Sequence, residues 1–439
     1  FYTALYHTMS HPNILNDVNG EYPAMGSHKT MMIKDENARF TVFSLWDTYR
    51  TLHPFFTLVY PEIQDQMCRS IMDMYKENGW LPQWELISRE THVMVGDPAS
   101  IVLTDSYLKG IHYDNPDTIL RAMVHNAENF YIMKQWGYPD VHHIRRGMVP
   151  YLDHDGWIPY DYKEKHPWLW ASVATTQEYN LADWNISRMA KLTGHPNVEQ
   201  RFKKRSLGYK HLYDPNSMFF RQRYADGSWV EPFDPMSRYY EMPWKFSGGP
   251  GYCEGMAWQY NFFIPHDIPG VIDLMGGSKA FINRLQMVFD SGYYDPSNEP
   301  DIAFPFLFNY VKGEEWRTQE TVRNIIDTTF TTEPGGIPGN DDTGTMSSWL
   351  MFAMMGIYPD CPGNPQYQVS TPVFEKITIR LNPAYYKGKE FVIRCDGNPE
   401  TQKYIDSITE NGHPHNDFTL EHSDIVNGGE LMVHLKDVK

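Results

Sequence analysis

The sequence predicts a mainly α chain with a small β-rich region at its C-terminal end. Three observations carry that expectation. Apolar residues recur at helical spacing from Pro61 onward, with Ile63, Met67, Ile71 and Tyr75 stepping by four through a first helix that ends at Gly79. Further helix candidates follow at 98–111, 116–137, 170–194, 197–213, 255–264, 266–275, 278–289, 302–311, 315–327 and 343–357. After about Pro359 the period becomes that of a strand, in Tyr367–Ser370, Lys376–Leu381, Glu390–Arg394 and Leu431–Leu435. The expected division is therefore a helical domain over 1–360 and a β-sandwich or sheet over 361–439. Helices of this length joined by loops suggest stacked hairpins, and a ring of six would fit their number, with a cleft at one end.

Composition narrows the partners. The 439 residues carry a formal net charge of −17, which argues against a nucleic-acid polyanion. Aromatic residues make up 15% of the chain, enough to fill a helical core or to line a cleft for a flat, hydroxyl-bearing ligand such as a sugar. Cys68, Cys253, Cys361 and Cys395 lie far apart, which suggests neither a zinc site nor a disulfide framework, but buried thiols. No apolar run reaches the eighteen residues a membrane span needs.

Residues 1–38 read as irregular, with turn signals at His11-Pro12-Asn13, Asp17–Gly20 and Tyr22-Pro23. In Phe40–Arg50, Trp46, Asp47 and Arg50 arrive within five residues at the edge of an apolar segment. Asp47 and Arg50 there read either as an intrahelical ion pair or as a polar grip on sugar hydroxyls beside a stacking indole. Asp153–Pro159 is a polar-aromatic loop, a cleft lining or a surface excursion. Tyr209–Gly251, with Trp229 and Trp244, is a long irregular span of the kind that tends to be functional.

Three carboxylate clusters flank turns: Glu254, opening the aromatic segment Gly255–Tyr260; Asp295–Asp301, with Asn298 and Glu299; and Asn340-Asp341-Asp342. The last ends a stretch with four glycines and a proline in ten residues, Gly335–Gly344, which cannot be a helix or a central strand. Each cluster alone fits helix capping, with Asp342 as the cap and Asp341 solvated. Together with the aromatics they fit glycoside hydrolysis. One carboxylic acid protonates the leaving oxygen, and a second carboxylate activates water on the opposite face. Partial burial near Trp258 and Tyr260 would raise the acid's pKa. An oxygen-rich site would suit Ca2+ better than Zn2+.

Phe43–Arg50, Glu254-Gly255-x-Ala257-Trp258-Gln259-Tyr260, Ser297–Pro300 and Gly339-Asn340-Asp341-Asp342-x-Gly344-x-Met346-Ser347-x-Trp349 together resemble the α-mannosidases of glycoside hydrolase family 92, as does the opening Phe1–Thr8. The resemblance implies a calcium-dependent, exo-acting, inverting enzyme that removes terminal mannose from glycans, on an (α/α)6 barrel preceded by a β-sandwich. It implies Glu254 as general acid and Asp342 as general base, with Asp341 or Asn340 helping to place the water. Trp46, Asp47 and Arg50 would fall in the mannose pocket, with Trp258 and Gln259 beside it, and Asn298 and Glu299 would help hold the calcium. Members usually work outside the cytoplasm, as secreted, periplasmic or cell-surface proteins. The family often has Asn where this chain has Met256, and a thioether is a poor ligand for a hard cation. The preceding β-sandwich, expected to add residues to the rim, is not in this chain, which starts at Phe1 like a fragment or a processed product. A glycan-binding protein that kept the pocket and lost catalysis, or a glycosidase or phosphorylase of another family, are the competing readings.

Overall fold

The computed structural model describes residues 1–33, 37–129, 131–133, 142–144, 148–161, 171–238 and 248–439. Helices dominate up to Met355, and the strands of the two largest sheets all follow it. Four of the long helices, Pro61–Asn78, Pro98–Leu108, Pro116–Glu128 and Pro196–Arg205, begin on a proline. The first helical position needs no N–H and welcomes a fixed φ, so these prolines mark the starts rather than break the helices.

Ser172–Leu192 runs through the middle of the molecule, flanked by Pro98–Leu108, Pro116–Glu128 and Pro196–Arg205. It and Pro98–Leu108 are buried nearly all round, which is why neither shows a polar face in its sequence. Segment 255–264 closes only one α-turn, Ala257–Tyr260, and 302–311 winds as a tighter three-residue-per-turn helix over Phe304–Tyr310. The expected helix over 197–213 stops at Arg205 and resumes as another tight turn, Gly208–Leu212. The one expected at 116–137 stops at Glu128, where Asn129 turns extended; 134–137 lie outside the described residues, as does Trp244.

Two expectations change at the N-terminal end and in the loops. Residues 1–38 are not all irregular: Tyr2–Thr8 is a helix packed on Thr345–Met355, and Glu21–Pro23 pairs with Thr30–Met32 as a hairpin. The loop Asp153–Pro159 is exposed at Asp153 and Asp155, as a surface excursion would be, and enters the core from Gly156 onward. Trp157 and Ile158 are buried, Trp157 stacks on His211, and Asn180 donates to the Gly156 carbonyl at 2.9 Å.

Beyond Met355 the chain turns at Gly356 into two sheets. Ile357–Tyr358, Gln366–Val369 and Thr419–Glu421 form an antiparallel sheet of three. The larger sheet orders Lys376–Arg380, Glu390–Asp396, Gly429–Lys436, Tyr404–Glu410 and His413–His415, and only the pair Glu390–Asp396 with Gly429–Lys436 is parallel. One apolar core is continuous from the helices into these sheets. The His422 ring reaches the Lys109 carbonyl at 3.1 Å, and Asn382 donates to Glu62 at 2.9 Å.

Gly356 is the hinge of that junction, at φ 77°, and a Cβ there would lie 2.7 Å from the Pro372 nitrogen and 2.8 Å from the Ser370 oxygen. Left-handed backbone and steric overlap act together, so Gly356→Ala is expected to destabilise the fold by about 2–4 kcal/mol. An unchanged midpoint in urea denaturation would refute this account of the hinge.

Candidate active site

The strand Phe43–Ser44 pairs with Trp84–Glu85 and runs straight into the single turn Leu45–Thr48, which aims Asp47 inward. Asp47 is 3% exposed, and the Ser44 hydroxyl donates to its Oδ2. Glu299 opens the tight turn Glu299–Asp301 and is fully buried, and no N–H or hydroxyl donates to either of its carboxylate oxygens. Asp342 comes from the glycine-rich loop, at φ 43°, followed by Thr343 at 56° and Gly344 at 93°. One oxygen from each of Asp47, Glu299 and Asp342 lies within 4.8 Å of the others.

Burial pushes the carboxyls of Asp47 and Glu299 well above the usual range. Asp342's charge adds to both, Glu254's adds to Asp47, and Asp47's adds to Glu299. Burial also raises Asp342, offset by a hydrogen bond with Glu299. Without a counter-charge the three must share protons.

Glu254 leaves a Gly-Pro-Gly turn and sits half-buried at φ 53°, a left-handed conformation that costs a non-glycine residue about 1–3 kcal/mol. Burial, and then the charge of Asp342, push its carboxyl up to about 7, while a hydrogen bond from Asn298 pulls it back. Glu254 and Asp342, 88 positions apart in sequence, are thus close enough in space to feel each other. Asn298 Nδ2 also donates to the Glu254 carbonyl at 2.7 Å, which ties the acid's loop to the Glu299 turn.

The remaining expected residues divide differently from the sequence reading. Asp341, not Asp342, caps the helix Thr345–Met355: its Oδ1 accepts from the Ser347 N–H at 2.8 Å, while the Asp342 carboxylate faces the cluster. Arg50 pairs neither with Asp47 nor with open space. Its guanidinium is buried against Glu178 at 2.8 Å, donates to the Trp46 carbonyl and lies over the rings of Trp46, Tyr49 and Phe263. Trp46 is fully buried. Trp258 is 5% exposed, stacks on Tyr293 at 4.5 Å and carries the Arg284 guanidinium over its ring. Gln259 spends both ends on the backbone, accepting from Met256 N–H at 2.9 Å and donating to the Tyr293 carbonyl. Asn298, expected as a cation ligand, uses Oδ1 on the Glu299 N–H and Nδ2 on the Glu254 carbonyl. Glu178, in the middle of the buried helix, escaped the sequence reading because no polar pattern or motif surrounds it.

Two buried carboxylate oxygens that no N–H or hydroxyl reaches, in one corner with two further carboxylates, make a donor set of hard oxygens, which fits a hard divalent cation such as Ca2+. Met256 is buried, and its N–H donates to Gln259 Oε1 at 2.9 Å.

A family model described as the glycosyl hydrolase family 92 catalytic domain matches residues 1–437. The chain is 30% identical over 395 residues to an uncharacterized secreted glycosidase of Arthroderma benhamiae, covering 83% of this chain and 48% of that protein. Among solved structures it is similar to a family 92 α-mannosidase of Bacteroides thetaiotaomicron, with TM-score 0.87 and 30% identity over 100% of this chain and 55% of the other. It is also similar to a family 92 inverting mannosidase of the same organism, at TM-score 0.85 and 28% identity over 100% and 59%. The chain thus spans about half the length of the relatives it matches. A match that runs across nearly every residue leads to one statement: the chain belongs to glycosyl hydrolase family 92.

Proposed function

We propose that this chain is the catalytic part of an inverting, exo-acting α-mannosidase that releases terminal mannose from glycans. The observation that carries the proposal is the pairing of Glu254, protonated up to about pH 7, with the carboxylate of Asp342 beside it. A binding protein has no use for an acid tuned to neutrality next to a second carboxylate. Similarity to an α-mannosidase solved with mannoimidazole, and to one described as inverting, supports the sugar and the stereochemistry.

In this reading Glu254 delivers its proton to the glycosidic oxygen as the bond to the anomeric carbon breaks. Asp342 takes a proton from the water that attacks the opposite face, giving mannose of inverted configuration. Asp341 holds the loop on the helix end and so orients Asp342. Asp47 and Glu299, with Asp342 at the edge, would hold Ca2+, which when bound supplies a positive charge that grips sugar hydroxyls and favours a flattened ring. Arg50 and Glu178 keep that corner rigid from beneath. The helices are proposed to close as an (α/α)6 barrel, with 361–439 packed on it as a β region. A β-sandwich elsewhere in the full protein would complete the rim. Likeness to a protein described as secreted favours action outside the cytoplasm.

The deciding experiment is hydrolysis of α-linked mannobioses followed by NMR. The first anomer released should be β, and Glu254→Gln and Asp342→Asn should each cut kcat by at least about 100-fold while far-UV circular dichroism stays unchanged. Release of the α anomer first, or turnover near wild type in either variant, sinks the assignment; tight glycan binding with no turnover in the wild type points to a binding protein instead.

The acid must carry its proton to work. Its raised pKa therefore predicts that kcat/KM falls as pH rises through about 7. A profile flat to pH 9 would remove Glu254 from the role.

Chelation should lower turnover, and Ca2+ should restore it. Binding to the folded state alone also raises Tm, so excess Ca2+ should stabilise the wild type by a few degrees and Glu299→Gln by much less. Equal thermal shifts in the two proteins would place the cation elsewhere.

A further inference from the structure

Val42 stands at φ 65°, immediately before the strand Phe43–Ser44 that leads into Asp47. Left-handed backbone is an outlier for a β-branched residue, and it persists only where the surroundings impose it. The Val42 side chain is only half-buried, so the bonds made by the neighbouring backbone must do most of the work.

Those bonds converge on Glu85. Its side chain is fully buried, and both of its oxygens accept from the segment that bends. The Thr41 hydroxyl donates to Oε1 at 2.8 Å and to Oε2 at 3.1 Å, and the Val42 N–H donates to Oε2 at 3.0 Å. The Glu85 main chain pairs with Phe43 on the other side of the bend. One residue thus grips the chain before, at and after Val42. Its own hairpin is anchored in turn. The Ser88 N–H also donates to Oε1, the Ile87 N–H donates to the Thr41 hydroxyl at 2.8 Å, and buried Glu90 accepts from the Gln83 and Trp84 N–H groups at 2.7 and 3.0 Å. Downstream of the bend, the Ser44 hydroxyl donates to Asp47 Oδ2, so the bend sets where Asp47 enters the corner. Burial pushes the Glu85 carboxyl up to about 7; the bonds from Thr41 and Ser88 and the charge of Arg39 pull it back, and Glu90 adds to it. Burying a carboxylate is costly, and an ordinary hairpin turn does not require one.

We infer that Glu85 is a positioning residue for the carboxylate corner: it holds the left-handed bend at Val42 and thereby fixes Asp47 in the place from which it would bind the cation. The inference rests on the reading of that corner as a Ca2+ site, and it adds a residue that lies behind the site rather than in it.

The test is calorimetric titration of the full protein with Ca2+ at pH 8, where Glu85 is ionised. In Glu85→Gln the amide keeps one acceptor oxygen and must turn N–H groups toward Val42 or Ser88. A lost hydrogen bond to a charged group is worth about tenfold or more, so Kd for Ca2+ should rise by about tenfold. Glycine takes left-handed backbone unaided and costs only its extra freedom, so adding Val42→Gly should bring Kd back to within about threefold of wild type. Thr41→Val removes one donor and keeps the charge. It should raise Kd by about threefold, and it carries the test should Glu85→Gln not fold. A wild-type Kd in Glu85→Gln or Thr41→Val, with only Tm lowered, marks a mere staple of the hairpin and overturns the role. So does a double variant that binds as weakly as Glu85→Gln. In both cases the wild type still binds Ca2+ and the mannosidase reading stands. A wild type that binds no Ca2+ overturns the cation site, and this inference with it.

Discussion

Three carboxylates that would push one another apart in water are held in one dry corner, and much of the neighbouring structure answers to that repulsion. Like charges at such separations cost several kcal/mol unless protons or a cation intervene. Arg50 supplies one buried positive charge beneath, and it moderates both Asp47 and Glu299. Its own partner, Glu178, takes back most of what it offers, in a pair that is 6% and 0% exposed. The corner thus stays short of positive charge by design of its nearest neighbours, which is what a site that waits for a cation needs.

The same electrostatics join the two halves of the proposed chemistry. Asp342 belongs to the corner and also raises Glu254. A carboxylate that stays ionised keeps its neighbour protonated, so the proton donor and the proton acceptor define each other's state. The Asn298 latch from the Glu299 turn to the Glu254 carbonyl gives this coupling a mechanical counterpart. A shift of either loop is felt by the other.

Much of this was legible in the residues, and the failures have physical causes. Prolines at 61, 98, 116 and 196 and the alternation at 376–380 and 390–396 are local signals, and local structure follows them. The strand Tyr404–Glu410 was missed because a bulge between Ile405 and Ser407 breaks its alternation. Tyr2–Thr8 was missed because its helix depends on Thr345–Met355, more than 300 residues away. In the site, the motifs drew attention to the right loops but not to the directions of side chains. Asp341 takes the capping role that a simple reading gives Asp342, and Asp342 turns to the carboxylate corner, because two left-handed residues turn the chain between Asp342 and the helix. Arg50 reads as an ion pair with Asp47 or a grip on hydroxyls, and its buried partner is instead Glu178, 128 positions away, which no local pattern reveals. The abundance of aromatics fits a filled core or a lined cleft, and Trp46, Trp258 and Trp349 are core residues.

The left-handed torsions of Glu254 and Asp342 bear on how this protein can be changed. Glycine or asparagine would sit at either position with less effort. A selection for heat resistance alone, blind to turnover, would therefore drift toward those replacements. Endurance and activity would then be traded at the same two codons.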